Sequence, residues 1–150
     1  MQSASSSLQR AGSPLAMVMI DIDHFKAVND IFGHAAGDMV LAMVAECCRK
    51  QIRSTDILSR FGGEEFIIML PDASLEAAEP IVGRLRQAIV NSRAPTIKGE
   101  VAITASLGLA MINPRQMDLE TAVRLADEAL YEAKNAGRNC IRTRALSNSR

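Results

Sequence analysis

Residues Gly62-Gly63-Glu64-Glu65-Phe66 place two glycines directly before two carboxylates, with apolar runs on both sides. Asp56-Ile57-Leu58-Ser59-Arg60-Phe61 precedes them, and Phe66-Ile67-Ile68-Met69-Leu70 follows. That pattern predicts a β-hairpin whose turn carries acids. Glycine supplies the backbone freedom of a tight turn and lets a ligand come close. The two glutamates then project where a metal ion or a phosphate ester can meet them.

The rest of the chain supplies the core such a hairpin must join. Its 150 residues, 48% of them hydrophobic, suit one globular domain. The formal net charge is zero, which argues against a broad basic surface for nucleic acid. Phosphate binding must therefore come from a few placed residues. Cys47 and Cys48 are neighbours and Cys140 stands alone, without metal-ligand spacing. Reduced thiols in a cytoplasmic protein are the expectation, though a longer parent chain is free to be membrane-anchored. No apolar run approaches the roughly 20 residues of a membrane-spanning helix. Residues 1–12 are expected to be a frayed end or the remnant of a helix, 13–145 the domain, and 146–150 a loose tail.

Leu15 to Ile20 is an unbroken apolar run ending at Asp21, and it predicts a central strand covered on both faces. His34 to Ile52 has helical spacing, with Met39, Val40, Met43, Val44 and Cys47 as the buried stripe. After the hairpin, Ser74 is placed to cap a helix to about Ser92, with Leu75, Ala78, Val82, Leu85 and Ile89 on one side. Pro80 predicts a late start or a kink there. Val101 to Ile112 predicts one strand, Asp118 to Ala136 a helix stopped by Gly137, and Asn139 to Arg144 a short edge strand. The first six elements form the βαββαβ pattern of a ferredoxin-like α+β fold, with an extra C-terminal helix and strand. In that topology Asp21, Glu64 and Glu65 converge at one sheet edge. Oxygen donors of this kind suit Mg²⁺.

These segments resemble the GGDEF family, the diguanylate cyclases, whose fold is of the nucleotidyl cyclase or palm type. Gly62 to Phe66 is similar to the family signature, with Glu in the third place. Asp21-Ile22-Asp23-His24-Phe25-Lys26, Asn29-Asp30, Gly33-His34 and Gly37-Asp38 resemble its first-strand and first-helix motif. Arg53-Ser54-Thr55-Asp56 is similar to its inhibitory RxxD, and Tyr131 to Asn139 to its closing motif. The likeness covers about residues 15 to 142. A DxLTxLxNRR-like opening helix, usual in the family, is absent, so the chain reads as a truncated catalytic domain with Leu8 to Gly12 as the end of that helix.

The resemblance implies condensation of two GTP molecules into cyclic di-GMP with release of pyrophosphate, assisted by two Mg²⁺ ions per active site. It implies Asp21, Glu64, Glu65 and the carbonyl of Ile22 as metal ligands. Glu64 is also a candidate general base, and the roles of the two glutamates stay open. Lys26, Lys134 and Arg138 are implied for the phosphates, with amides at His24, Phe25 and Lys26 cradling them. Lys134 and Arg138 stand four apart, on one face if the helix persists. Asn29 and Asp38 fit guanine, because an aspartate accepts from donors that adenine lacks. His34 and Leu41 are implied beside the nucleotide. The blander readings are a strand-end cap for Asp21, a solvated face for the cations, a loop histidine for His34 and a core leucine for Leu41. Asp23, Asp30 and Arg60 are assigned to turn chemistry or hairpin bracing. Arg53 and Asp56, with Arg84, are implied as a product-inhibition site; alone, the pair would be an ordinary surface ion pair. A second copy of the domain is the implied partner, since one site holds one GTP. The alternative is a catalytically silent module that binds cyclic di-GMP or GTP as a sensor.

Overall fold

The computed structural model describes residues 13–145. The expectations for residues 1–12 and 146–150 lie outside them. In chain order the elements are β1 (Leu15–Ile22), α1 (Phe25–Phe32), α2 (His34–Gln51), β2 (Ile57–Arg60), β3 (Glu65–Pro71), α3 (Leu75–Asn91), β4 (Arg93–Thr96), β5 (Gly99–Ala102), β6 (Ala105–Ile112), α4 (Leu119–Asn135) and β7 (Ile141–Ala145). Five strands form one sheet in the order β2-β3-β1-β6-β7. β1 runs antiparallel to both β3 and β6, and β7 pairs parallel with β6 at the edge. This is the expected ferredoxin-like arrangement with α4 and β7 appended.

All eight residues of β1 are buried, which explains its unbroken apolar run. Ala16, Val18, Ile20 and Ile22 enter the core with residues of α2 and α3. Leu15, Met17 and Met19 pack with Ala122, Leu125, Ala126 and Leu130 of α4 on the other face. Strand alternation therefore puts Asp21 and Asp23 on the α4 side. Gly108 of β6 is where α4 comes closest. A Cβ there would lie 2.3 Å from both the Ala126 carbonyl oxygen and the Leu130 nitrogen.

Ser74 caps α3 by accepting from the Ala77 amide at 3.2 Å, and Asp118 caps α4 by accepting from Thr121 at 2.8 Å. The start of α3 is not delayed by Pro80, which lies inside the helix. Pro80 and Glu76 are both exposed, so water can reach the carbonyl that the missing N–H leaves free. Three other expectations need correction. Phe25 to Phe32 is helical, because Phe25 and Val28 together bury one side of a short amphipathic turn. Gly33, at φ +94°, separates it from α2. The buried stripe of α2 is Ala36, Gly37, Val40, Leu41, Val44 and Cys48, while Met39 is exposed. Small residues allow the closest approach and rotate the face by one position. The strand expected over Val101 to Ile112 is two strands. β5 leaves the main sheet to pair with β4 in a hairpin turned at Ile97 and Lys98 and closed by Gly99, whose φ of +112° suits glycine.

All three cysteines are free, and burial pushes the Cys48 thiol up to about 12, which keeps it unreactive. Among the described residues no helix is long and apolar enough to cross a membrane. Gly108→Ala should destabilise the domain by about 3 kcal/mol or more, because backbone on both sides blocks relaxation. Urea unfolding checks this, and an unchanged midpoint would contradict the close approach of α4.

Candidate active site

The turn between β2 and β3 docks on the end of β1. The Ile22 amide donates to the Glu64 carbonyl at 3.3 Å, and Asp21 lies opposite Glu65 in the β1–β3 register. Phe61 and Gly62 both donate their amides to the Glu65 carbonyl, at 2.8 and 3.4 Å. The Arg60 guanidinium reaches the carbonyls of Gly62 and Gly63 at 3.3 and 2.7 Å, so it braces the hairpin as expected. A Cβ on Gly62 would lie 3.1 Å from Glu65 Oε1, so the glycine leaves room for that carboxylate.

Asp21 is only 4% exposed, and Lys134 Nζ donates to its Oδ2 at 2.5 Å. Glu64 is held above the usual carboxylate range, chiefly by burial, then by the charge of Asp21 and a hydrogen bond shared with it. Glu65 is raised for the same leading reasons, with Asp127 and Glu64 adding and Lys134 opposing. Burial works against the Lys134 ammonium, yet the bond to Asp21 and the surrounding carboxylates outweigh it and raise its pKa. Three acids thus share one lysine.

That excess of hard oxygen charge fits a divalent cation such as Mg²⁺. Among the described residues, however, no three carboxylate, histidine or cysteine side chains close into a ready cation cage. The convergence read from the sequence is therefore electrostatic: Asp21 and Glu64 form the close pair, with Glu65 beside them. Mg²⁺ commonly takes only one or two carboxylates and completes its shell with phosphates and water.

A cleft of about 450 Å³ runs from this edge along α1 and α2. It is lined by Phe25, Lys26, Asn29, His34, Asp38, Leu41, Arg60, Gly63 and Glu64. Seven of these are residues implied by the sequence, and Arg60 and Gly63 are additions. Leu41 is both buried in the core and part of the wall, so its two readings coexist. Gly37 matters here because a Cβ would fall 1.9 Å from Asn29 Oδ1. Only glycine leaves that amide its place. Lys26 pairs with Asp30 at 3.0 Å in the open, a weak contact that leaves it free to turn elsewhere. His24 also lines a separate cleft of about 440 Å³ between α1 and the β4–β5 hairpin. Its backbone still heads α1, at φ 58° and with no side-chain cap, so the first-turn amides stay open to an anion.

Arg138 lies beyond the end of α4 at φ 65°, so it does not share a helix face with Lys134. Gly137 at 111° and Asn139 at 50° complete a run of positive φ values. For non-glycine residues that conformation costs about 1 kcal/mol or more. Asp23, read from the sequence only as turn chemistry, has a larger part. It is 5% exposed and accepts from Thr104 Oγ1 at 2.6 Å, Ser106 Oγ at 2.6 Å and the Asn139 amide at 3.0 Å. The available signal was Ser106, a hydroxyl set into an otherwise apolar strand.

Away from the cleft, Arg53 grips Asp56 through Nε and Nη2, and Nη2 also donates to the Pro71 carbonyl at 2.9 Å. The Asp56 side chain is fully buried in this pair. Asp56 is thus more than the surface partner expected. Arg84 is exposed on α3 and makes no hydrogen bond to the pair.

The family model "Diguanylate cyclase, GGDEF domain" matches residues 1–140, and the chain belongs to that family. The chain is 46% identical over 132 residues to diguanylate cyclase DgcP of Pseudomonas aeruginosa, covering 87% of this chain and 19% of that protein. The chain therefore spans about a fifth of that curated relative. Among solved structures, the active GGEEF domain of a diguanylate cyclase from Vibrio cholerae matches with TM-score 0.86 and 34% identity, over 97% of this chain and 92% of that one. The GGDEF domain of DgcB from Caulobacter crescentus, in complex with c-di-GMP, matches with TM-score 0.87 and 28% identity, over 94% and 84%.

The raised Glu64 gives a signed pH dependence. A carboxyl whose folded pKa exceeds its unfolded value stabilises the fold below the unfolded pKa, about 4.3, and loses that contribution as pH rises through the folded value. Glu64→Gln should therefore raise the melting temperature at pH 7 and have no such benefit at pH 4. A Glu64→Gln variant less stable than the parent at pH 7 would contradict the crowding of Glu64 by Asp21.

Proposed function

We propose that this chain is a diguanylate cyclase domain that condenses two GTP molecules into cyclic di-GMP and two pyrophosphates. The observation that carries this reading is the cleft: guanine-suited groups line its length, and the Asp21, Glu64 and Lys134 cluster lies at its end. Asp38 and Asn29 bind the guanine edge, and Leu41 packs beside the ring. Asp38 and Asn29 can accept from the N1 and N2 donors of guanine, which adenine lacks, and this favours GTP over ATP. His34 and the amides heading α1 hold the nucleotide further along. Lys26, Lys134 and Arg138 neutralise the triphosphate.

Each 3′-hydroxyl oxygen attacks the α-phosphorus of the other GTP. The new O–P bond forms as the bond from the α-phosphorus to the bridging oxygen breaks, and pyrophosphate leaves. The hydroxyl proton passes to Glu64, whose carboxylate is made a better proton acceptor by burial and by the neighbouring charge of Asp21. Asp21, Glu64, Glu65 and the Ile22 carbonyl would hold Mg²⁺, in the two-ion arrangement. When bound, it supplies charge neutralisation at the α-phosphate and acidifies the attacking hydroxyl.

One cleft holds one GTP, so two copies of the domain must meet face to face. Product regulation falls to Arg53 and Asp56: Nη1 of Arg53 makes no bond to Asp56, and the half-exposed guanidinium would take a guanine edge or phosphate. Arg84 supplies a second guanidinium, from the same or the partner copy.

The test is product formation from GTP and Mg²⁺ at rising protein concentration. Cyclic di-GMP should form, with specific activity rising with concentration, and Glu64→Ala should abolish it. Product formed equally well by the Glu64→Ala variant would sink the assignment. Separately, Arg53→Ala should weaken cyclic di-GMP binding about tenfold or more, the value of a charged hydrogen bond. Calorimetry with the product measures this, and unchanged affinity and inhibition would remove Arg53 from the regulatory site.

A further inference from the structure

We propose that Asp23 is the positioning residue for the turn after α4, and that through this turn it sets the grip on the substrate's triphosphate. The proposal rests on the reading that Arg138 faces the phosphates. The turn is conformationally costly: Gly137, Arg138 and Asn139 all have positive φ. Backbone of this kind persists only where its surroundings over-determine it. Here the Asp23 carboxylate accepts the Asn139 amide at 3.0 Å, directly after Arg138. Arg86 of α3 holds the same residue from the other side, donating to Asn139 Oδ1 at 2.6 Å.

Asp23 is itself immobile. Its amide donates to the Thr104 carbonyl at 2.9 Å, and its carboxylate also accepts from the Thr104 and Ser106 hydroxyls. Its charge is buried, so each of these bonds is charge-assisted and exposed to little competition from water. The carboxylate thus ties the end of β1, the start of β6 and the turn into one unit. Asp21, two residues earlier and within β1, pairs with Lys134 at the end of α4. The strand therefore fixes the end of α4 twice, once through a side chain and once through the backbone. A backbone tether determines where Arg138 starts, whatever its side chain contacts.

The experiment compares an α,β-methylene analogue of GTP with GMP, each with Mg²⁺, by calorimetry. Both probes use the guanine end of the cleft, and only the first uses the triphosphate end. Asp23→Ala should weaken the GTP analogue about tenfold, the value of one aligned charged contact, and leave GMP unchanged. Asp23→Asn, which keeps one acceptor for the Asn139 amide, should recover part of that loss. If Asp23→Ala fails to fold, Asp23→Asn alone must still lower the preference for the analogue over GMP. A double variant with Arg138→Ala should be no weaker than Arg138→Ala by itself, because the effect passes through Arg138. Equal losses for both probes, or additive losses in the double variant, would make Asp23 merely structural and overturn the proposal. Amide exchange at Asn139 separates this failure from failure of the functional reading. Exchange that speeds up in the variants, in a parent that prefers neither probe, would show a tether without a phosphate role and would also overturn it.

Discussion

A carboxylate buried at the end of a central strand has to find a cation, and the architecture of this domain follows from that requirement. Asp21 is carried into the interior by a strand buried along its whole length. Leaving it unpaired there would cost several kcal/mol. Lys134, at the far end of the sequence, meets it at 2.5 Å. That contact pins α4 on the sheet face opposite α2 and α3. It also draws the acidic turn, the strand end and the helix end to one edge.

The same edge is over-supplied with acid. Glu64 and Glu65 share Lys134 with Asp21, and their pKa values are raised first by burial and then by the charge of Asp21. Carboxyls held above their ordinary pKa weaken the fold at neutral pH, because the charged form is less favoured there than in the unfolded chain. The stable parts of the domain compensate. Gly108 lets α4 approach the sheet at backbone distance, and two alternating apolar faces of β1 bind helices above and below. Asp23 differs from its neighbours, since its carboxylate is fully satisfied by hydroxyls and an amide. Of the two acids at the end of β1, one is held by hydroxyls and a backbone amide and the other by a lysine.

Much of the fold was legible from periodicity. The apolar run of β1, the caps at Ser74 and Asp118 and the glycine stop after α4 are local signals with local causes. The misses share one origin. The helix over Phe25–Phe32 is too short for a clear period. The split of Val101 to Ile112 into β5 and β6 depends on β4, a partner strand invisible in local pattern. The face of α2 was read one position off because Ala36 and Gly37 pack more closely than larger apolar residues would. In the site, Lys26, Asn29, His34, Asp38 and Leu41 fall together as read, since α1 and α2 follow β1 with little intervening chain. Arg138 does not share a face with Lys134, because the chain leaves the helix at Gly137 with positive φ.

By itself, the sequence determined which residues are acidic, where the chain turns and which stretches must be buried, because those properties are set by side-chain chemistry and short-range sterics. Tertiary structure decided which acids meet which cations. Asp21 and Lys134 are separated by most of the domain, and so are Asp23 and Asn139. Strand parity alone puts Asp21 and Asp23 on one face. Only the packing of α4 across that face, and the return of the chain through a left-handed turn, makes one of them half of an ion pair and the other an anchor.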